Sequence, residues 1–277
     1  MRCRLRSATA LAGLLMIASA QVFAQEADTG TIILDTASFW RVHYTLKPPV
    51  VRKADGVEPV QSPQAWLNTS TPLPDDDWMG PDFDDRDWSR FPGVLPGNLN
   101  PYGSNLGDAK LSFPALVCMR GKFGVTNPGK VKELSLSASY RGGMVVYLNG
   151  TEIARGHLAK GPDARLEQLA EDYREGEEHT RELGKVKIPG ARLRKGVNVL
   201  AVELHRSAYQ EKDVQKARRG RVVIEWGSCG LITIRLTAPS AEGIVPNIAR
   251  PAGIQLWNSN PLAVDRVSKR NYLFCRD

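Results

Sequence analysis

Carboxylates crowd one short stretch of this chain: Asp75, Asp76 and Asp77 are followed by Asp82, Asp84, Asp85 and Asp87. Oxygen ligands at that density on a loop suit a hard cation such as calcium, and Asp84 and Asp85 are the candidate ligands. The spacing lacks the glycine and the closing glutamate of an EF-hand loop. Paired carboxylates also perform glycoside hydrolysis, one as acid and one as base or nucleophile, but they must flank the glycosidic bond across a set gap. Adjacent residues such as Asp84 and Asp85 do not set one. The histidines, His43, His157, His179 and His205, are scattered, and neither HExxH nor GxSxG occurs. His205 reads as an ordinary strand-end histidine, with exposure on a rim as the alternative. No phosphate-binding glycine loop or dinucleotide fingerprint is present, and Gly142-Gly143 precedes a strand, where it serves a bend or bulge.

The compartment comes from the N-terminus. Arg2, Arg4 and Arg6 form a basic region, Ala8 to Ala20 is mostly apolar but short for a bilayer, and Val22-Phe23-Ala24 resembles a cleavage site. Residues 1–24 are therefore expected to be a signal peptide, with the mature chain starting near Gln25, exported to the periplasm or outside the cell, and not membrane-bound after cleavage. The formal charge of +7 then falls to +4, from 34 basic and 30 acidic residues. That excess is too mild for a nucleic-acid partner. Lys216 to Arg221 is the one dense basic cluster and reads as a solvated loop. Cys118, Cys229 and Cys275 remain after cleavage, with no CxxC pair to suggest zinc or redox work. One disulfide among the three is possible and the sequence does not choose it. Cys118, in an apolar run, reads as a buried thiol.

The elements that must position these residues are mainly strands. Trp40, Val42, Tyr44 and Leu46 alternate with polar residues, and so do Leu134, Leu136, Ala138 and Tyr140. Asn149-Gly150 between two apolar-bearing runs predicts a hairpin with a type I′ turn. Leu200, Val202 and Leu204 are expected to face a core, while Val199, Ala201, Glu203 and His205 form a face that becomes polar. Pro162 to Leu183 carries Leu166, Leu169, Ala170 and Tyr173 at helical spacing and predicts a short surface helix. Val222–Trp226 and Leu231–Leu236 predict a last hairpin. The pattern fits an all-β fold, an antiparallel β-sandwich with a short helical insert, over residues 31–238. Residues 239–277 read as a linker and the possible start of a further module, so the chain is expected to be the front of a longer protein.

Four segments in order carry a resemblance. Trp78-Met79-Gly80-Pro81-Asp82-Phe83-Asp84-Asp85-Arg86-Asp87-Trp88, Arg120 to Val125, Val146 to Gly150 and Lys195 to Val202 resemble the motifs of galactose-binding-like jelly rolls, among them the N-terminal sugar-binding domain of family 2 glycoside hydrolases. Physically the motifs are mostly architectural: Phe83 and Trp88 anchor a loop, Asp84 and Asp85 close a turn, and Asn198 satisfies backbone groups at a strand start.

The resemblance implies a non-catalytic module of a carbohydrate-active protein, without a cofactor apart from a possible structural calcium, and with a carbohydrate or a neighbouring catalytic domain as partner. The alternatives are the front domain of a glycoside hydrolase whose catalytic module lies elsewhere, and a structural docking domain. Sugar recognition needs aromatic faces and planar polar groups, and the loop candidates are Trp78, Asn100, Tyr102, Arg141 and Tyr209. For Asn100 and Tyr102 the resemblance adds that a loop there can reach a neighbouring active site.

Overall fold

Strict alternation of apolar and polar residues gives a strand one buried face and one free face, and most of this fold follows from that. The computed structural model describes residues 30–60, 68, 70–92, 114–160, 168–174, 176–218 and 229–247. The proposed signal, Asn100, Tyr102, the Val222–Trp226 arm and Cys275 lie outside them.

Two antiparallel sheets pack face to face. The smaller runs β1 (Thr31–Asp35), β13 (Gly230–Ala238), β7 (Glu133–Arg141), β10 (Arg181–Pro189). The larger runs β5 (Ser89–Pro92), β2 (Phe39–Leu46), β6 (Pro114–Val125), β11 (Gly196–His205), β8 (Gly143–Leu148), β9 (Thr151–Gly156), with β14 (Ile244–Val245) added on β6. A small third sheet joins β12 (Tyr209–Gln210), β3 (Val50–Lys53) and β4 (Gly56–Pro59). Pro48-Pro49 separates β2 from β3.

The main core lies between the two large layers. Leu134, Leu136, Ala138 and Tyr140 of β7 meet Leu200, Val202 and Leu204 of β11, with Trp40 and Val42 of β2 beside them. Gly121 is a close-approach position: a Cβ there would come within 2.9 Å of the Trp40 ring and nearer still to Leu34. The β8–β9 hairpin turns on Asn149 and Gly150, at φ 51° and 85°, as a type I′ turn requires. Asn149 also joins neighbouring strands: its Oδ1 accepts from Val199 N at 2.9 Å and its Nδ2 donates to Asn198 Oδ1 at 2.8 Å. Asn198 in turn caps its own strand start through Arg194 N and the Arg194 carbonyl.

One expectation changes. Of residues 162–183, the described part holds no helix: 168–174 is irregular and Arg181 already belongs to β10. The helix of the described chain is α1 (Glu211–Arg218) instead. Arg181 explains the difference. It donates to the carbonyls of Glu171 and Asp172 at 3.0 and 3.1 Å, and a helix would have directed those carbonyls along its own axis. Past Pro239, β14 pairs with β6 and Asn247 N donates to the Ile33 carbonyl at 2.8 Å.

Candidate functional site

The outer faces of the two layers differ. On the smaller sheet Ser137, Thr233 and Arg235 are exposed. On the larger sheet the outward residues Leu116, Cys118, Val199, Ala201 and Val145 are as buried as the core. Two irregular segments cover them. Residues 71–88 bring Trp78 down onto Leu116, Cys118, Val199 and Ala201, with Phe83 and Trp88 alongside. Leu158 and Ala170 cover Val145.

Arg120 fastens the first cover. It points outward from the middle of β6 with its side chain 0% exposed. Its Nε donates to Asp85 Oδ2 at 2.9 Å, and its Nη groups donate to the carbonyls of Trp78, Gly80 (2.8 Å) and Phe83 (3.4 Å). Its guanidinium carbon lies 5.2 Å from the centre of the Phe83 ring. Asp85 Oδ1 accepts from Lys122 Nζ at 2.7 Å. Burial pushes the Asp85 carboxyl up, but the hydrogen bonds from Arg120 and Lys122 outweigh it and hold the group below its ordinary value. Local turns shape the loop, with Arg86 N donating to Asp84 Oδ1 and Trp88 N to the Asp85 carbonyl.

A shallow cleft of about 260 Å³ opens at the margin of this clasp. Phe39 and Arg41 of β2, Arg90 of β5, Lys122 of β6, Asp85 and Asn247 line it. The Arg90 guanidinium lies over the Phe39 ring at 4.5 Å, making one flat, cationic surface. Arg41 Nη1 donates to the Trp88 carbonyl at 2.9 Å, and its Nε stands 3.9 Å from Asp85 Oδ1. Asn247 forms paired hydrogen bonds with the backbone of Phe39, so its amide shapes the wall.

A second polar group lies under the other cover. Tyr147 donates to Glu203 Oε2 at 3.1 Å, Glu203 Oε1 pairs with His205 Nε2, and His205 Nδ1 meets the Gln168 carbonyl at 2.8 Å. A carbonyl only accepts, so Nδ1 carries a proton. Burial, reinforced by the Glu203 charge, pushes the Tyr147 phenol well above its ordinary value. His205 is 0% exposed, which removes the alternative of a rim position. Glu203 and His205 are the polar end of the outward face and lie buried under the chain's own cover.

Of the residues expected to bind ligand, Trp78, Arg141 and Tyr209 are described, and Trp78 lies in a different cluster from Tyr209. Trp78 is 0% exposed, stacked on Trp88 at 5.8 Å and edge-on to Tyr147 at 6.1 Å, so it offers no face to a sugar. Tyr209 is buried with Val51, Val60, Tyr173 and Val214. Arg141 ends β7 half-buried, and its Nε has no hydrogen-bond partner among the described residues. Asp84 and Asp85 are engaged by separate cations: Asp84 by Arg86 at 2.7 Å, Asp85 by Arg120 and Lys122. This pair does not fit a calcium ion, since both Asp85 oxygens face cationic donors. Among the described residues no group of three or more His, Cys, Asp or Glu is arranged to hold a metal. Sequence reasoning missed the cleft cations Arg41, Arg90 and Lys122. The available signal was positional: Arg41 alternates with the inward Trp40 and Val42, and Lys122 with Gly121 and Phe123, so both face the loop side.

No protein-family model and no curated protein matches the chain. Among solved structures it is similar to part of a β-glycosidase from Bacteroides vulgatus, at 10% identity and a TM-score of 0.38 over 74% of this chain and 20% of that one. It is also similar to part of a glycosyl hydrolase family 2 member from Bacteroides cellulosilyticus DSM 14838, at 11% identity and 0.40 over 74% and 20%. A β-glucuronidase from glycoside hydrolase family 2 aligns at 13% identity and 0.35 over 62% and 14%. This chain thus spans about a fifth or less of the length of each of these structures, and its sandwich assignment rests on its own strand pairings.

Proposed function

We propose that this chain is an exported, non-catalytic carbohydrate-binding or accessory sandwich of a carbohydrate-active protein. One observation carries the reading: the broad outer face of the larger sheet is sealed by the chain's own clasped loop, and the cleft left at the loop margin is shallow and offers an aromatic–guanidinium surface with outward donors. A pyranose needs a flat contact on one side and planar donors for its hydroxyls, and the Arg90 guanidinium backed by Phe39, with Arg41 beside it, is the candidate for both. The ordered motifs of the sequence support the same reading, because they build the clasp that shapes the cleft.

A glycan array probed with residues 25–277 tests the binding role. Retention on at least one neutral or acidic oligosaccharide class is expected; a folded, cooperatively melting sample that binds none overturns it. Export is tested by N-terminal sequencing of the chain recovered from its native host. A start near Gln25 in the exported fraction is expected, and an uncleaved cytoplasmic chain overturns it.

A further inference from the structure

We infer that the cleft between β2, β5, β6 and the Trp78–Trp88 loop takes a saccharide bearing a carboxylate, held by Arg41, Arg90 and Lys122. The inference rests on the sugar-binding reading above and adds the charge of the ligand. Four cationic side chains, Arg41, Arg90, Arg120 and Lys122, line the cleft against one carboxylate, Asp85. Arg120 is consumed by the clasp, where its donors go to Asp85 and to three carbonyls. Asp85 has no oxygen to spare, because Oδ2 meets Arg120 and Oδ1 meets Lys122. The other cations keep outward capacity. Lys122 is 42% exposed and spends one of three N–H donors on Asp85. Arg41 is 31% exposed and commits Nη1 to the Trp88 carbonyl. Arg90 is exposed, with its guanidinium carbon over the Phe39 ring.

Positive groups gathered in one concavity repel one another and focus a field that an anion relieves. Guanidinium edges match the planar geometry of a carboxylate. A neutral sugar would leave that field unanswered. The cleft volume is below the roughly 300–1,000 Å³ that encloses drug-sized ligands, so it suits one charged ring better than the body of an oligosaccharide.

The test titrates residues 25–277 by calorimetry at low salt with methyl β-glucuronoside, its uncharged glucuronamide, methyl β-glucoside and inorganic phosphate. The uronoside is expected to bind about tenfold or more tighter than the amide, in line with a charge-assisted contact. Its affinity is expected to fall with added salt and to drop by about tenfold in each of Arg90→Gln and Lys122→Gln, with melting unchanged in Arg90→Gln, whose side chain is exposed and outside the Asp85 clasp. Equal binding of acid, amide and glucoside overturns this inference and leaves the sugar-binding reading standing. Phosphate bound as tightly as the uronoside identifies an adventitious ion site only and overturns the saccharide assignment. No binding of any sugar by the folded chain overturns the inference, and a blank glycan array alongside it overturns the underlying reading as well.

Discussion

A guanidinium can be buried on a strand only if its charge and donors find partners, and Arg120 meets that condition with one carboxylate and three carbonyls. Removing it in Arg120→Met leaves the 5%-exposed Asp85 with Lys122 and the more distant Arg41. A loss of about 3–5 kcal/mol of unfolding free energy is expected in urea titration, and an unchanged midpoint would contradict the clasp. The acid limb of stability reads the same contact. The folded Asp85 carboxyl is held below its ordinary value, so on acidification the unfolded chain takes up that proton first. The contribution of Asp85 is full above the unfolded carboxyl value of about 3.9 and is lost as pH falls through the lower folded one. Asp85→Asn should therefore lower stability at neutral pH and flatten the decline below about pH 5. Because both Asp85 oxygens already face cations, chelation with EGTA is expected to leave the melting temperature unchanged; a drop would place a metal where the geometry does not.

At the scale of elements, irregular segments do the covering and buried arginines hold them. Arg181 repeats the device of Arg120. It donates to the carbonyls of Gly142, Glu171 and Asp172, and its guanidinium stacks on Tyr173 at 3.9 Å. In Arg181→Met, hydrogen exchange in residues 168–174 is expected to accelerate while β6 and β11 keep their protection. Equal acceleration everywhere would mean that the cover does not open separately. Strands were readable in the sequence because alternation acts locally: Leu200, Val202 and Leu204 face the core as expected, and Asn149-Gly150 turns where its tolerance of positive φ allows. Gly150→Ala is expected to cost about 1–2 kcal/mol, because alanine resists the left-handed region. The covers were not readable, since their conformation depends on distant donors. Ala170 and Tyr173 are buried, as a helical stripe would have them, yet the carbonyls between them belong to Arg181. Trp78 fell to the same cause: a tryptophan in a polar, proline-rich loop reads as exposed until Arg120 is seen to pull that loop onto the sheet.

For the whole molecule, the consequence is a three-layered apolar interior: smaller sheet, larger sheet and clasped cover. Two thiols sample it at different depths. Cys229 belongs to the core between the sheets, and Cys118 to the cluster under the Trp78 loop. Both are free and 0% exposed, and burial pushes both well above the ordinary thiol value, Cys229 to about 12. Neither should react in the native state, because the thiolate is the nucleophile and neither thiolate nor access is available. In a chain starting at Gln25 with Cys275→Ser, labelling with a thiol reagent therefore reports opening alone. If the cover is a separate cooperative unit, Cys118 labels faster than Cys229 under mild urea, and Arg120→Met widens the difference by speeding Cys118 selectively. If the layers open together, the two labelling rates coincide and track global unfolding in both proteins. The packing favours the first outcome. Two-sided strand pairing holds β6 and β11 in the larger sheet, whereas the cover is held largely through Arg120 and the aromatic residues around Trp78. Coincident rates in Arg120→Met would show that the cover is integral to the sandwich and does not open separately from it.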